Sequence, residues 1–523
     1  MPPPNLSRAT RRELLRISGA LSAVGAAGSL FGLQLASLGT AAAQVATPAY
    51  QALVCIFLFG GNDAHNTVLA TDADTFGRYL SARNTGNDPI ALMPPGAAAQ
   101  PVGAASTFTP GRTVSRGSPE NWGGVLPIAP QTPNPVPPGT NAATRTFALH
   151  PFLAPLIPIW DAGRLAVAAN VGPLITPTTK AQYVSKTVPL PANLMSHNDQ
   201  QSTWQAGAAE GARRGWGGLF ADQLLSMNGA NMVFTAISTA GNAVFLSGRD
   251  TVQYQVTTGS NTPAVRITSA TGTSLFGASG NPALLSQVIR DTTGGSYFGA
   301  DHGARVMRSM DSATWLNDAF AAGAVTAVTA PTTLTNPVTG AAETNQLAVQ
   351  LQTVAKIIAT NATLGLRRQV FFVSLGGFDT HDIQNSTQPV LLNRLGHAMA
   401  YFDGVLANIG GADMRAAVTT FTASDFSRTF TTNGDGTDHA WGAHQFVMGG
   451  AVNGKNVYGQ YPTLGVDQAG FVNPNMAGNV LVPNMSVDQF GATLGAWFGV
   501  PDGALDTVFP NLHNFTPRNL GFI

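Results

Sequence analysis

The sequence contains a single cysteine and few charged residues, and each shortage excludes a class of protein. Cys55 lies within an apolar run, which predicts a buried and inert thiol. One cysteine permits no internal disulfide, no cysteine-ligated iron–sulfur cluster and no cysteine-based zinc ribbon. Charged residues make up 10% of the chain, with 27 basic against 27 acidic side chains. We therefore expect no nucleic-acid partner held by bulk charge.

Long apolar runs are missing as well. Beyond the N-terminus no stretch of roughly 18 apolar residues is present, so we expect a soluble mature protein without a transmembrane segment. Hydrophobic residues nevertheless make up 44% of the 523 residues, which is enough for a large core. The 58 glycines and 34 prolines indicate many turns and long ordered loops.

The N-terminus has the layout of a twin-arginine export signal. Arg11 and Arg12, in "TRRELLR", precede a weakly apolar Gly/Ala-rich stretch, and a small-residue site of the Ala-x-Ala kind follows at Ala41 to Ala43. The alternative is an amphipathic helix with two surface arginines. The first interpretation predicts a signal peptide over residues 1–43, contact with the twin-arginine export machinery, and a periplasmic or extracellular protein. Since this route carries folded, often cofactor-loaded proteins, it favours a metal.

The rest of the chain alternates between helix and strand patterns. Length alone allows three domains, but large α/β folds often form one unit, and we predict a single domain over 44–523. Apolar runs typical of buried parallel strands occur at 52–59, 165–170, 369–375 and 415–426. Helical patterns occur near 148–162, 281–322, 341–366, 387–408 and 487–498. The sequence thus predicts an α/β fold with a mostly parallel central sheet, a loop-rich insertion at about 85–145 and an antiparallel β region at about 231–268.

Acidic residues follow three of the predicted strands. Asp63 comes after "FGGN", Asp379 after "LGGF" and Asp425 after "TAS". In open parallel sheets, ligands bind outside the carboxyl ends of the strands, and clustered acids repel one another unless a cation lies among them. Asp379 and His381 share a face of an extended segment, so both can reach one ion. The alternative is that the acids only cap strand-to-helix turns.

A glycine-rich stretch at 434–444 contains further potential ligands, which are Asp435, Asp438, His439 and His444. Mixed Asp/His sites suit zinc or manganese, so we predict one or two such divalent ions. A calcium loop of the EF-hand type is excluded because its terminal glutamate is absent. The His-x-His pairs of multicopper oxidases are absent too. His302 and His513 stand alone and are predicted to be surface or structural residues.

"LMSHNDQQSTWQAG" supplies a candidate nucleophile. Ser196 and Asp199 have the spacing of a capping box. The same geometry places the Ser196 hydroxyl at a helix N-terminus, where an anion is stabilised, and a serine beside a metal can attack an ester. We predict that His197 assists it. Arg428 could clamp a tetrahedral oxyanion, and a surface arginine is the alternative.

Six segments carry a family resemblance: "LVCIFLFGGNDAHNTV", "ALHPFLAPL", "MSHNDQQSTWQAG", "VSLGGFDTH", "TASDFSRT" and "DHAWGAHQFVMGGAV". They resemble the bacterial family called domain of unknown function 1501 from about residue 50 to the C-terminus. That family is similar to the alkaline-phosphatase-like superfamily of phosphatases, sulfatases and cofactor-independent phosphoglycerate mutases. The resemblance implies an α/β sandwich with a two-metal site around a Ser or Thr nucleophile.

The resemblance also implies roles for individual residues. Asp63 resembles the first-strand acid of the superfamily and Ser196 its nucleophile. The remaining metal ligands would be Asp379 with His381, then Asp425, and a final histidine at His439 or His444. Two departures are evident, because the superfamily spaces its Asp/His pair more widely and follows the later acid with His, where this chain has Phe426. One metal site is therefore altered, single, or completed by His439. The formylglycine motif of sulfatases is absent.

Two functions follow from these observations. The first is an exported metal-dependent hydrolase of phosphate or related esters, acting on a small-molecule or polymer substrate. The alternative is a non-catalytic descendant that binds a cell-envelope or polymer partner and keeps the fold, with or without a structural metal. Hydrolysis requires a nucleophile and a metal in one open site, whereas a binding protein tolerates the loss of either.

Overall fold

The apolar run that precedes "GGND" forms the central strand of the main sheet, Gln51–Phe59. The structure is a computed structural model and describes residues 49–259, 263–264, 278–290, 297–322 and 324–523. Alternate side chains of this strand enter two cores: Ala52, Val54, Ile56 and Leu58 on one face, and Leu53, Cys55 and Phe57 on the other. The buried thiol predicted for Cys55 is confirmed, and burial raises its pKa.

The described strands and helices are numbered in chain order. The strands are β1 Gln51–Phe59, β2 Val68–Ala70, β3 Leu126–Ile128, β4 Phe147–Leu149, β5 Leu165–Gly172, β6 Ala236–Ser238, β7 Tyr254–Gln255, β8 Leu334–Thr335, β9 Ala342–Glu343, β10 Arg368–Gly376, β11 Val418–Ser424, β12 Ala443–Met448, β13 Val457–Tyr458, β14 Met476–Ala477, β15 Val480–Leu481 and β16 Met485–Ser486. The α-helices are α1 Ala73–Arg83, α2 Pro119–Trp122, α3 Ile157–Asp161, α4 Lys180–Ser185, α5 His197–Ala206, α6 Trp216–Leu224, α7 Asn281–Arg290, α8 Tyr297–Ala321, α9 Gln346–Ala359, α10 Gln384–Leu406, α11 Val487–Phe498 and α12 Asp502–Val508.

The main sheet is mostly parallel, as the apolar runs predict. Among the described residues its strand order is β13-β5-β12-β11-β1-β10-β6-β7, and β16 also pairs with β5. Strand β1 pairs in parallel with β10 and β11, so these three strands end at the same edge. Strand β12 runs antiparallel to both of its neighbours, β11 and β5.

Helices cover both faces of this sheet. Helix α9 buries Leu347, Leu351, Val354 and Ile358, spaced for one helical face, in the core that also contains α10. On the other face, α6 and α11 pack in the second core through Phe220 and Phe490. Helix α11 starts at a capping box formed by Ser486 and Gln489 and ends before Gly499, whose φ is 96°. These layers confirm the predicted α/β class.

The antiparallel region predicted at about 231–268 is wrong where the structure describes it. Strand β6 pairs in parallel with β10, and β7 pairs in parallel with β6. All three residues of β6 are buried, so this segment extends the main sheet instead of forming a half-exposed hairpin. Small antiparallel sheets do occur elsewhere, as β2-β4-β3, β8-β9 and β14-β15.

The chain divides into two units, Met1–Ala49 and Tyr50–Ile523. The predicted signal peptide at 1–43 lies outside the described residues. The interval predicted as loop-rich, 85–145, contains the short elements α2 and β3 and is otherwise irregular in structure. In the described part of the chain, no helix combines the length and apolar character that crossing a bilayer requires.

Candidate metal centre

The carboxyl ends of β1, β10 and β11 are joined into one edge by close backbone contacts. Gly60 follows β1 with φ +112°, and a Cβ there would lie 2.4 Å from the backbone nitrogen of Asp379. Its N–H donates to Asp425 Oδ2 at 3.1 Å. Only glycine permits this conformation and approach, which explains the glycine after β1. The edge therefore brings together Asp379 from the β10 turn and Asp425 from the β11 turn.

A loop and a helix add histidines to this edge. Gly436 packs so tightly that a Cβ would lie 2.3 Å from the carbonyl oxygen of His381. An isolated β-bridge between Arg428 and His439 fixes the loop beside the residues after β11. Helix α5 supplies His197 as its first residue. Three histidines from three separate segments thus reach the same edge of the sheet.

Each of these histidines has its Nδ1 atom next to a hydrogen-bond acceptor. The pairs are His197 with Asp425 Oδ2 at 2.7 Å, His439 with the Met195 carbonyl at 2.8 Å, and His381 with Asp438 Oδ1 at 3.2 Å. When Nδ1 donates to such an oxygen in a neutral ring, Nε2 has the free lone pair with which imidazole binds a metal.

The three Nε2 atoms converge on one carboxylate oxygen, Asp379 Oδ1. It lies 3.4 Å from His197 Nε2, 3.2 Å from His381 Nε2 and 3.3 Å from His439 Nε2. Ligands at about 2.0–2.1 Å from a tetrahedral zinc lie about 3.3–3.4 Å apart. The ligand atoms of His197, Asp379 and His439 all lie within 4.8 Å of one another, and His381 adjoins them.

One separation in the cluster is too short for two nitrogens that both present lone pairs to each other. His381 Nε2 and His439 Nε2 lie 2.9 Å apart. With both Nδ1 atoms protonated, these nitrogens face each other with lone pairs and cannot form a hydrogen bond. A shared cation, or a proton on one ring, relieves that repulsion. The donor set of imidazole nitrogens with one carboxylate fits zinc or manganese.

The surroundings of Asp379 and His439 favour the protonation states that bind a metal, which are the carboxylate and the neutral imidazole. Burial opposes ionisation of Asp379, but the hydrogen bond and charge of Arg428 outweigh it and lower the Asp379 pKa to about 2. Burial lowers the pKa of His439, which keeps that ring neutral. The hydrogen bond with Asp425 raises the pKa of His197, so protons compete with a metal there. The side chain of Asp379 is 47% exposed, so the site opens to solvent.

Asp425 lies behind His197, not among the convergent atoms. Its Oδ2 accepts hydrogen bonds from Gly60 and from Gln201 Nε2 as well as contacting His197. Its Oδ1 is buried and has no partner among the described residues. A carboxylate that holds the far nitrogen of a histidine fixes the ring and raises its basicity. The structure thus gives Asp425 an orienting position where the sequence predicted a direct ligand.

Arg428 lies in the interior, so the surface alternative for this residue is wrong. Its side chain is fully buried. The guanidinium donates to the carbonyl oxygens of Gly60, Gly61 and Thr437 and to Asp379 Oδ1. These contacts engage all three guanidinium nitrogens and hold the Asp379 carboxylate and the β1 turn in place. The oxyanion role stays a prediction.

Asp63 does not join the cluster either. Its carboxylate is buried and forms a two-armed ion pair with Arg83, and it also accepts from Gln384 Nε2 at 2.6 Å. The backbone N–H of His65 donates to it at 3.0 Å, which caps the short 3-10 turn Ala64–Asn66. Both oxygens of this carboxylate thus have hydrogen-bond donors as partners, and a ligand role for Asp63 stays a prediction. The capping alternative holds for this acid.

His444 is likewise separate from the convergent atoms. Its ring is buried and stacks on Tyr461 with centroids 4.6 Å apart, and its Nδ1 accepts from the backbone N–H of Asn170. Burial lowers its pKa to about 3. Of the other predicted loop residues, Asp438 contacts His381 Nδ1, while Asp435 accepts the backbone N–H groups of Ile383 and Gln384 at the start of α10. His513 contacts the Pro510 carbonyl, and His302 lies on α8.

Ser196 precedes the first residue of α5, as predicted, but the capping box does not form. Its hydroxyl donates to Asp199 Oδ2 at 2.8 Å and makes no bond to a backbone N–H of the helix. This hydrogen bond lowers the pKa of Asp199. In the chain Ser196 lies between Met195, whose carbonyl holds His439, and the cluster residue His197. The hydroxyl is therefore close in sequence to two site residues and has a carboxylate partner.

The sequence did not indicate the supporting contacts of the Met195 carbonyl and of Gln201. It also did not indicate that the His197 ring lies within the cluster. His197 and Gln201 are four residues apart in a predicted helix, so they share a face. That spacing could have identified Gln201 as a partner of Asp425. Nothing in the sequence indicates the role of the Met195 carbonyl, because it depends on backbone direction at a residue with φ +70°.

Fold and site together define an α/β protein with a cluster of histidine and carboxylate at the carboxyl edge of a mostly parallel sheet. The chain belongs to the family described as "Protein of unknown function (DUF1501)", whose model matches residues 50–509. No curated protein matches it.

Proposed function

We propose that this protein is a metal-dependent hydrolase of phosphate or related esters, with the ion held by His197, Asp379 and His439. The observation that supports this proposal is the convergence of three histidine Nε2 atoms on Asp379 Oδ1, at 3.2–3.4 Å. A divalent ion at such a site polarises an ester oxygen and stabilises an alkoxide or hydroxide nucleophile. His381 lies on the solvent side, with 45% of its side chain exposed.

A nucleophile and a proton acceptor lie at the start of the helix whose first residue is His197. Ser196 is the proposed attacking group, and Asp199 receives its proton along the existing 2.8 Å hydrogen bond. The Ser196 oxygen would form the new bond to phosphorus while the bond from phosphorus to the ester oxygen breaks and that oxygen takes a proton from solvent. Water would then hydrolyse the phosphoserine, which releases phosphate and restores the Ser196 hydroxyl. Asp199 has a lowered pKa and is a weak base, so the attack also depends on the charge of the ion.

The choice of phosphate and related esters is supported by the resemblance of this family to the alkaline-phosphatase-like superfamily. The open position of the cluster suits a substrate whose bulk stays outside the protein, since the side chains of Asp379 and Asp438 are 47% and 58% exposed. Sites for small ligands usually enclose most of the ligand surface. A polymer or a surface-linked ester therefore fits better than a small metabolite.

Activity in Ser196→Ala tests the nucleophile. We expect the wild type loaded with zinc or manganese to cleave chromogenic phosphomonoesters or phosphodiesters, and the variant to lose at least about a hundredfold in kcat. Its melting temperature should hardly change, because the hydroxyl caps no backbone group. Ser202→Ala is the matched control, since Ser202 lies on the same helix and also makes one hydrogen bond, to the Ala209 carbonyl.

Other outcomes assign different functions. Full activity in Ser196→Ala would show that Ser196 is not the nucleophile and would favour water in that role. A folded, metal-loaded wild type that cleaves no phosphate, sulfate or carboxylate ester would contradict hydrolysis and favour the polymer-binding alternative.

Export by the twin-arginine route is the second part of the proposal, supported by Arg11 and Arg12 before the apolar stretch. Replacing both with lysine is expected to retain the protein in the cytoplasm, as measured by cell fractionation and immunoblotting. Arg16→Lys is the control and should be exported normally. Undiminished export of the double variant would show that the two arginines are not a signal.

A further inference from the structure

A cavity of about 380 Å³ lies at the C-terminal end of helix α5. None of the candidate metal ligands His197, Asp379 and His439 lines it. Its wall is largely apolar and includes Leu174, Ile175, Pro191 and Val487. Asp488, the second residue of α11, also lines it. Cavities of this size, with an apolar wall and one or a few polar groups, are typical of sites for small molecules.

Asp488 is the unusual member of this wall, because its residue is only 6% exposed. Its carboxylate interacts with backbone N–H groups of Asp488 and Asn511, and no basic side chain pairs with it within the described part of the chain. Burial raises its pKa to about 6, because the ionised carboxylate is less stable here than in water. The positive end of the helix accounts for an acid at this position. It does not account for an open cavity in front of that acid.

We propose that this cavity binds a small organic cation, with an ammonium group on Asp488 and an apolar body against Leu174, Ile175 and Pro191. A buried anion without a counter-ion is costly, and an ammonium of the ligand supplies the missing charge. The apolar wall then gains by covering hydrocarbon. This site is separate from the proposed hydrolase and does not rest on it.

The cavity shares structural elements with the metal centre. Thr203 lines the cavity and lies six residues from His197 on the same helix, about 9 Å along its axis. Ala192, another wall residue, precedes by three positions the Met195 whose carbonyl holds His439. A bound cation would thus contact both segments that support the cluster, without touching its ligand atoms.

Calorimetry with cyclohexylamine and cyclohexanol tests this site on the metal-free full chain. We expect the wild type to bind cyclohexylamine and to bind cyclohexanol at least tenfold more weakly. Asp488→Asn keeps the shape of the side chain and should lose at least tenfold in amine affinity. Asp502→Asn is the matched control, because Asp502 lies in the first turn of the neighbouring helix α12 with an 88% exposed side chain.

A second variant tests the same site in case Asp488→Asn does not fold. Ala208 lines the cavity and is exposed, so Ala208→Phe should fill the space while the carboxylate stays, and amine binding should fall. Equal affinity for amine and alcohol, or unchanged amine binding in both variants, would overturn the proposal. Absence of amine binding to the wild type would leave Asp488 as a helix-terminal acid only. These binding measurements require no catalytic activity, so their outcome does not depend on the proposed hydrolase function.

Discussion

Metal-stripped protein incubated with zinc or manganese is expected to retain about one ion per chain after dialysis, and His439→Ala is expected to lose it. The reason is the geometry of the cluster, in which the ligand atoms of His197, Asp379 and His439 lie within 4.8 Å of one another. The Nδ1 atoms of both histidines are held by Asp425 and by the Met195 carbonyl. Removing His439 also removes the contact to the Met195 carbonyl. Elemental analysis by mass spectrometry, with a chelator competition for the affinity, measures both effects.

Two further variants make this result specific. His513→Ala removes a histidine that contacts only the Pro510 carbonyl, and metal content should equal that of the wild type. Asp425→Asn keeps every convergent atom but weakens the hold on His197 Nδ1, so affinity should fall about 10–100-fold. A folded wild type that binds neither metal, or a His439→Ala variant that binds as tightly, would rule out this centre.

The fold was predictable where burial on both faces produces continuous apolar runs. Strand β1 was predicted at 52–59 and spans Gln51–Phe59, and α11 was predicted at 487–498 and spans Val487–Phe498. Strand β6 was misassigned because three buried residues give no distinctive period. Its pairing partner, β10, lies more than a hundred residues away, and parallel pairing over that distance leaves no local signal.

The site was predictable in composition but only partly in arrangement. Asp379, His381 and His439 were identified because aspartate and histidine follow strands or glycine turns, and the structure brings them together. Asp63 has the same local signature as Asp379, yet the two carboxylates have opposite roles. The difference comes from arginines: Arg83 saturates Asp63, whereas Arg428 leaves Asp379 partly open. Which arginine meets which acid depends on tertiary packing that spacing does not encode.

Asp63→Asn separates these two roles through stability. We expect the variant to lose about 3–5 kcal/mol in free energy of unfolding, because it leaves the Arg83 charge buried without a counter-ion. Both side chains are fully buried, and the remaining Arg83 donors already bond to Asn66 and to the carbonyls of Thr429 and Phe430. Urea unfolding followed by fluorescence measures the loss, and metal content should stay at the wild-type value.

Asp301→Asn is the control, since Asp301 pairs with Arg305 on an exposed helix surface, where such a pair contributes less than about 1 kcal/mol. Adding Arg83→Gln to Asp63→Asn should recover part of the lost stability, because it removes the uncompensated charge. Recovery in the double variant would show that the cost lies in the unpaired arginine, not in the missing carboxylate. The opposite pattern, metal loss with unchanged stability in Asp63→Asn, would return Asp63 to the ligand set. Stability and metal content thus distinguish a carboxylate that holds the β1 turn from one that holds an ion.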